Sequence, residues 1–136
     1  MHKRDYLVKQ FEEFGKVMAI LLGLKREGHL SEFNELINES FKKHISTEIS
    51  ETESILDLDL LHHLTIEKKL NDEQLKIVAD LFYEKAEYYL KTSLESQATN
   101  CYKKAYSIYL FLKDHATLSY SLDMYYKLEV LSMMGL

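Results

Sequence analysis

Proline and tryptophan are absent from this sequence, cysteine occurs once, and glycine only at positions 15, 23, 28 and 135. The lone Cys101 excludes an intrachain disulfide and favours a reducing compartment. Strand signals are missing: no run alternates strictly between apolar and polar residues, and no Asn-Gly or Asp-Gly pair marks a hairpin. Basic charge is not in excess. The net charge is −5, so long-range attraction to nucleic acid is not expected. The apolar run "VMAILLGL" (Val17–Leu24) has eight residues, against about 20 needed to cross a bilayer. Basic "MHKR" precedes it, but Asp5, Glu12 and Glu13 intervene and no small-x-small cleavage site follows. The expectation is a cytoplasmic protein without a targeting segment or membrane span. No G-x-S-x-G, glycine-rich phosphate loop or H-E-x-x-H surrounds any nucleophile or metal ligand.

What is present is helical periodicity. With 46% hydrophobic and 29% charged residues, the chain has an ordinary globular composition, and 136 residues suit a single domain that buries about two-thirds of its unfolded surface. Charge is uneven: residues 1–30 carry six Lys/Arg against four acids (+2), and residues 31–64 two against eight (−6). Residues 65–136 carry nine against ten. Apolar residues recur at three and four throughout, predicting an all-α chain of about six helices in antiparallel pairs.

The first helix is expected over about 4–24, with a stripe of Leu7, Phe11, Phe14, Met18 and Leu21, ended by Gly23 or Gly28. A second, about 32–45, starts at a Ser31 N-cap and buries Phe33, Leu36, Ile37, Phe41 and Ile45. Ser50 with Glu53 reads as a capping box for a third, about 51–64, carrying Ile55, Leu58, Leu61 and Leu64. Asn71 or Asp72 caps a fourth over about 72–92, and Ser93 opens a fifth over about 95–113. Asp114 is placed to cap a sixth, about 115–133, carrying Leu118, Leu122, Tyr125 and Leu128.

Within "FYEKAEYYLKTSLESQATNCYKKAYSIY", alanines 86, 98 and 105 sit among aromatics on crowded apolar faces. Helices cross at about 8–10 Å only where small side chains admit a neighbour, so these alanines are expected crossing points. Residues 79–112 resemble a tetratricopeptide repeat, a 34-residue helix-turn-helix unit of interaction scaffolds. Phe82 stands where that family has tryptophan, Ala86 at its small residue and Tyr89 at its tyrosine. Ala98, Tyr102 and Ala105 fall on the second helix's pattern. Lys85 replaces the family's leucine and Leu110 its terminal proline. The resemblance implies a hairpin over 72–136 with a C-terminal capping helix, helices 1–70 lying outside the repeat pattern. The opening "RDYLVKQFEEFGKVMAILLGL" is also similar to the start of a small bacterial family of unknown function, which implies no activity.

The repeat resemblance implies a non-enzymatic protein–protein interaction module with no cofactor, binding its partner through Tyr83, Glu87, Leu90 and Lys91. The family's carboxylate clamp uses lysine and asparagine where Tyr83 and Glu87 stand, so that clamp is not expected. Glu87 and Lys91 also fit an ordinary i,i+4 surface pair. Nine of the ten tyrosines lie between Tyr83 and Tyr126, and Tyr83, Tyr88, Tyr106 and Tyr120 are candidates for an exposed anchoring surface. "LDLDLLHHL" supplies the competing class, a small helical metalloprotein or enzyme. There Asp59 and His63 lie at i,i+4, Asp59 and His62 at i,i+3, and Glu67 one turn on. Di-iron bundles need a second such pair, and none is visible; histidines near a helix C-terminus also suit its dipole. Val17–Leu24 is apolar all round, to be wrapped by the domain, shared in a homodimer or laid on a membrane, the last disfavoured by Glu12 and Glu13. Cys101, beside Ala98, Tyr102 and Ala105, reads as a small core residue in preference to a reactive thiol.

Overall fold

The structure, a computed structural model, describes residues 3–115 and 121–136, the side chains of residues 3–8, 10 and 11 excepted. Leu7 and Phe11 of the first stripe therefore fall outside the described side chains, and Leu118 and Tyr120 outside the described residues. The chain is all-helical. Its elements are α1 (Lys3–Glu27), α2 (Leu30–Ile45), α3 (Ile49–Glu53), α4 (Asp57–His62), a π-helical turn (His63–Glu67), α5 (Asp72–Lys91), α6 (Glu95–His115) and α7 (Leu122–Ser132).

Local chemistry explains most of the boundaries. Gly28, at φ +78°, ends α1: its N–H bonds Lys25 O at 3.2 Å, and the His29 N–H bonds Leu24 O at 2.9 Å. That is the paired-bond stop that favours glycine. Ser93, at φ +64°, makes the same two bonds, to Leu90 O and from the Leu94 N–H to Tyr89 O. It closes α5 and does not open the next helix. Asn71 caps α5 through a capping box: its Oδ1 accepts from the Gln74 N–H at 2.8 Å, and Gln74 Oε1 accepts from the Asn71 N–H at 3.0 Å.

Three further expected starts are corrected. Helix α2 begins at Leu30 after His29, so Ser31 lies inside it and caps nothing. The single helix over 51–64 is replaced by α3, α4 and the π turn, and the Ser50–Glu53 capping box does not form. The reason lies elsewhere in the chain. Asn100 donates to the Glu53 carbonyl at 3.2 Å, Lys104 to the Ile55 carbonyl at 2.5 Å, and Tyr89 to the Glu53 carboxylate at 2.9 Å. Side chains of α6 thus take two carbonyls that a continuous helix needs, and Tyr89 of α5 holds the Glu53 side chain. The redirected chain leaves Leu58, an expected core residue, 96% exposed. Finally, α6 runs on to His115, whose ring stacks on Phe111 at 4.9 Å, so Asp114 is no cap. The last helix starts at Leu122, where Ser121 Oγ accepts from the Met124 N–H at 3.1 Å.

Helix α5 is the central element, touching α6 most extensively and also α2 and α1. The short Thr92–Leu94 and Gly28–His29 connections make α5–α6 and α1–α2 antiparallel neighbours. Phe33, Ile37 and Phe41 of α2 are fully buried, as are Val78, Leu81 and Phe82 of α5, with Phe41 edge-on to Phe82 at 5.7 Å. Ala86, Ala98 and Ala105 are all buried, and Cys101 between them is fully enclosed. Burial, then the neighbouring Glu53, raises the Cys101 thiol well above its usual range, which makes it a packing residue.

Two predictions arise from α1 and its partner α2. A Cβ built at Gly23 meets nothing within 4 Å and the position is helical, so Gly23→Ala should stabilise the fold by about 0.5–1 kcal/mol in urea titration. On α2, Ser40 Oγ and His44 Nδ1 are buried without hydrogen-bond partners, and His44 packs edge-on to Phe14 at 5.7 Å. Burial chiefly, then Lys43, lowers the His44 pKa below 6.5, with Glu13 opposing. The fold therefore favours neutral imidazole: its contribution is complete above pH 6.5 and is lost as pH falls toward the lowered value. Wild type should lose more thermal stability between pH 7 and pH 5 than His44→Leu; equal losses would contradict this.

Candidate functional site

On α5, Asp80, Tyr83, Glu84 and Glu87 follow at i, i+3, i+4 and i+7 and so share one face. This face is the floor of a groove walled by α1 and α7, a cavity of about 440 Å³. Phe14, Met18 and Leu22 of α1 line one side, Asp123 and Lys127 of α7 the other.

The two buried carboxylates fasten the walls. Glu84, with its side chain only 2% exposed, binds Lys25 of α1 at 2.7 Å. Asp80, 4% exposed, binds Lys127 of α7 at 3.3 Å and Lys76 of its own helix at 2.8 Å, and accepts from the buried Tyr109 hydroxyl of α6. One turn of α5 thus ties down α1, α6 and α7. Burial raises the Glu84 pKa, with Lys25 and Lys127 opposing. Burial works to lower Lys127, but Asp80, Asp123 and Glu84 outweigh it and hold its pKa above 10.5, so it is charged throughout the neutral range.

Closer to the mouth, the Tyr83 ring packs edge-on to Tyr102 at 5.6 Å, with Lys127 Nζ 5.4 Å from its centre. The Tyr102 hydroxyl donates to Glu87, whose other oxygen lies 3.6 Å from Lys25. Burial first, then Glu87 and Glu84, raises the Tyr83 pKa; burial and Glu87 do the same for Tyr102. Both phenols stay protonated as donors. The site presents an apolar wall, aromatic edges and fixed charges.

Of the four residues the sequence nominated, Tyr83 and Glu87 line this groove, whereas Leu90 and Lys91 are exposed beyond its lining. Of the expected tyrosine surface, Tyr83, Tyr88 and Tyr106 are half-buried and Tyr120 lies outside the described residues; among the described residues the exposed tyrosines are Tyr125 and Tyr126 on α7. Sequence reasoning missed Lys25, Lys76, Asp80, Glu84 and Lys127. A usable signal existed, because Asp80 and Glu84 interrupt the most apolar stretch of α5, where a carboxylate must be paired.

Two further polar clusters hold the fold together. Lys85, at the repeat's leucine position, is buried and donates to Asn34 Oδ1 at 2.5 Å and Asn38 Oδ1 at 2.9 Å, pinning α2 to α5. Its ammonium also lies 5.5 and 5.4 Å from the Tyr88 and Tyr89 rings. Lys104, almost wholly buried, binds Asp57 at 2.9 Å and anchors α4 to α6.

The metal candidates do not come together. Asp59 and His62 are exposed, and His63 Nδ1 pairs with Glu67 at 2.8 Å across the π turn. Among the described residues no group of three or more His, Cys, Asp or Glu is placed to hold a metal ion. Nor is any described helix long and apolar enough to cross a membrane. The segment Val17–Leu24 is split: Leu21 is buried and Val17, Met18 and Leu24 pack on the core, while Ile20 and Leu22 are 55% and 50% exposed.

Fold and groove define an all-helical protein with a groove between α1, α5 and α7. Comparison with protein-family models, curated proteins and solved structures gives no match.

Proposed function

We propose that this chain is a non-enzymatic protein–protein interaction module, a short tetratricopeptide-like helical scaffold that holds a segment of a partner protein in the α1–α5–α7 groove. The observation that carries this is the groove itself: an apolar wall facing a charged, aromatic floor on the face of α5 where the repeat resemblance puts ligand contacts. The buried alanines at 86, 98 and 105 also support that architecture. The acids and lysines of the groove are engaged with one another, which favours holding a ligand over transforming it.

A photo-crosslinking amino acid at Leu22, on the groove wall, tests this against the same group at exposed Gln97 on α6. The expected result is a defined protein adduct from Leu22 alone, diminished by Tyr83→Ala. Equal adducts from both positions, or none from Leu22, would remove the groove as the docking site.

The exposed Ile20 and Leu22 favour a second reading, a homodimer contact through Val17–Leu24. Light scattering decides it: a dimer that Leu22→Glu dissociates supports the contact, and a monomeric wild type ends it.

A further inference from the structure

We propose that the segment held in this groove is basic and amphipathic, its cationic side chains meeting Glu87 and Asp123 at the mouth and its apolar side chains lying on Met18 and Leu22. The proposal rests on segment docking in the α1–α5–α7 groove and assigns the charge of the partner.

The geometry points there because the groove's charges are sorted by depth. All three lysines are mostly buried, and two make their shortest contacts inward, Lys25 to Glu84 at 2.7 Å and Lys76 to Asp80 at 2.8 Å. Lys127 bridges the two depths, 3.3 Å from Asp80 and 3.2 Å from Asp123, and lies against the Tyr83 ring. The carboxylates that reach the mouth are the solvent-facing ones. Glu87, 27% exposed, accepts from the Tyr102 hydroxyl and meets Lys25 at 3.6 Å, and Asp123, 59% exposed, also lies 3.7 Å from Lys76.

Four acids stand against three lysines in the lining, so one negative charge remains, and the solvent-facing groups carry it. An entering lysine or arginine meets the two solvent-facing carboxylates of a lining with one more acid than lysine, whereas an entering carboxylate meets repulsion. Beside that position the α1 wall is apolar, and Leu22 on it is half exposed, which suits hydrophobic residues flanking the cation.

The test titrates the isotope-labelled full chain, by amide NMR, with three synthetic amphipathic peptides: leucine with arginine, and twins with glutamate or glutamine replacing arginine. The arginine peptide should shift the amides of Gly15, Leu22, Tyr83, Glu87 and Asp123. Glu87→Gln should weaken it roughly tenfold, and Glu95→Gln, on exposed α6 surface, should leave it unchanged. Equal binding of all three peptides, binding of the glutamate twin alone, or no shifts with the arginine peptide would overturn the basic-segment proposal. In the first two cases shifts confined to the groove would leave segment docking standing. Shifts confined to α6 and α4 would sink both.

Discussion

Replacing Asp80 with alanine should cost the fold about 3–5 kcal/mol at neutral pH, read as a lower urea midpoint with an unchanged slope. The carboxylate is 96% buried on its side chain's own scale, leaving 4% exposed, and it serves Lys76, Lys127 and the Tyr109 hydroxyl together. Its removal leaves two ammonium groups in a nearly dry setting and orphans a fully buried phenol. Asp123 is the only other acid within ion-pair reach of those two lysines among the described residues, and at 59% exposure it compensates weakly. Asp123→Ala, which removes only the outer partner, should accordingly change stability by less than about 1 kcal/mol. A loss under about 1 kcal/mol for Asp80→Ala would mean that the lysines escape to water and that α7 is not fastened as described.

Phe82→Ala carries the other large effect. The ring is fully buried, edge-on to Phe41 of α2, and on the helix that packs against both α2 and α6. Deleting it removes the transfer free energy and leaves a cavity between α2 and α5, about 3–5 kcal/mol together. Domains of this kind hold about 5–15 kcal/mol in total, so the variant should lie close to the edge of folding at 37 °C. Phe82→Leu, which keeps most of the volume, should lose clearly less. If the two substitutions cost the same, the lost quantity is not volume and the packing of α2 on α5 is misassigned.

How much of this was legible in the sequence follows from where each determinant lies along the chain. The stop at Gly28 and the Asn71 cap are set by residues within one turn, and periodicity with cap chemistry narrowed them to Gly23 or Gly28 and to Asn71 or Asp72. The break after Glu53 was hidden because its cause is Asn100 and Lys104, about 47–49 positions away, drawing carbonyls out of the helix. The same distance problem concealed the groove. Tyr83 and Glu87 were found from one helix face, but Lys25 and Lys127 join them only after α1 and α7 pack against α5. Lys85 looked like a departure from the repeat pattern, and its satisfaction depends on Asn34 and Asn38 of another helix. Ser93 misled for a local reason: serine suits a helix start, yet here it adopts the left-handed geometry of a helix end.

That α1 is clamped to α5 through a buried ion pair, and that the groove exists because of it, is most directly tested by a double-mutant cycle on Lys25 and Glu84. Urea unfolding of Lys25→Met, Glu84→Gln and the double variant should give a coupling energy of about 0.5–3 kcal/mol, as expected for side chains 2.7 Å apart. Single-variant effects that simply add, within about 0.3–0.5 kcal/mol, would place the two groups apart and leave α5 without its wall.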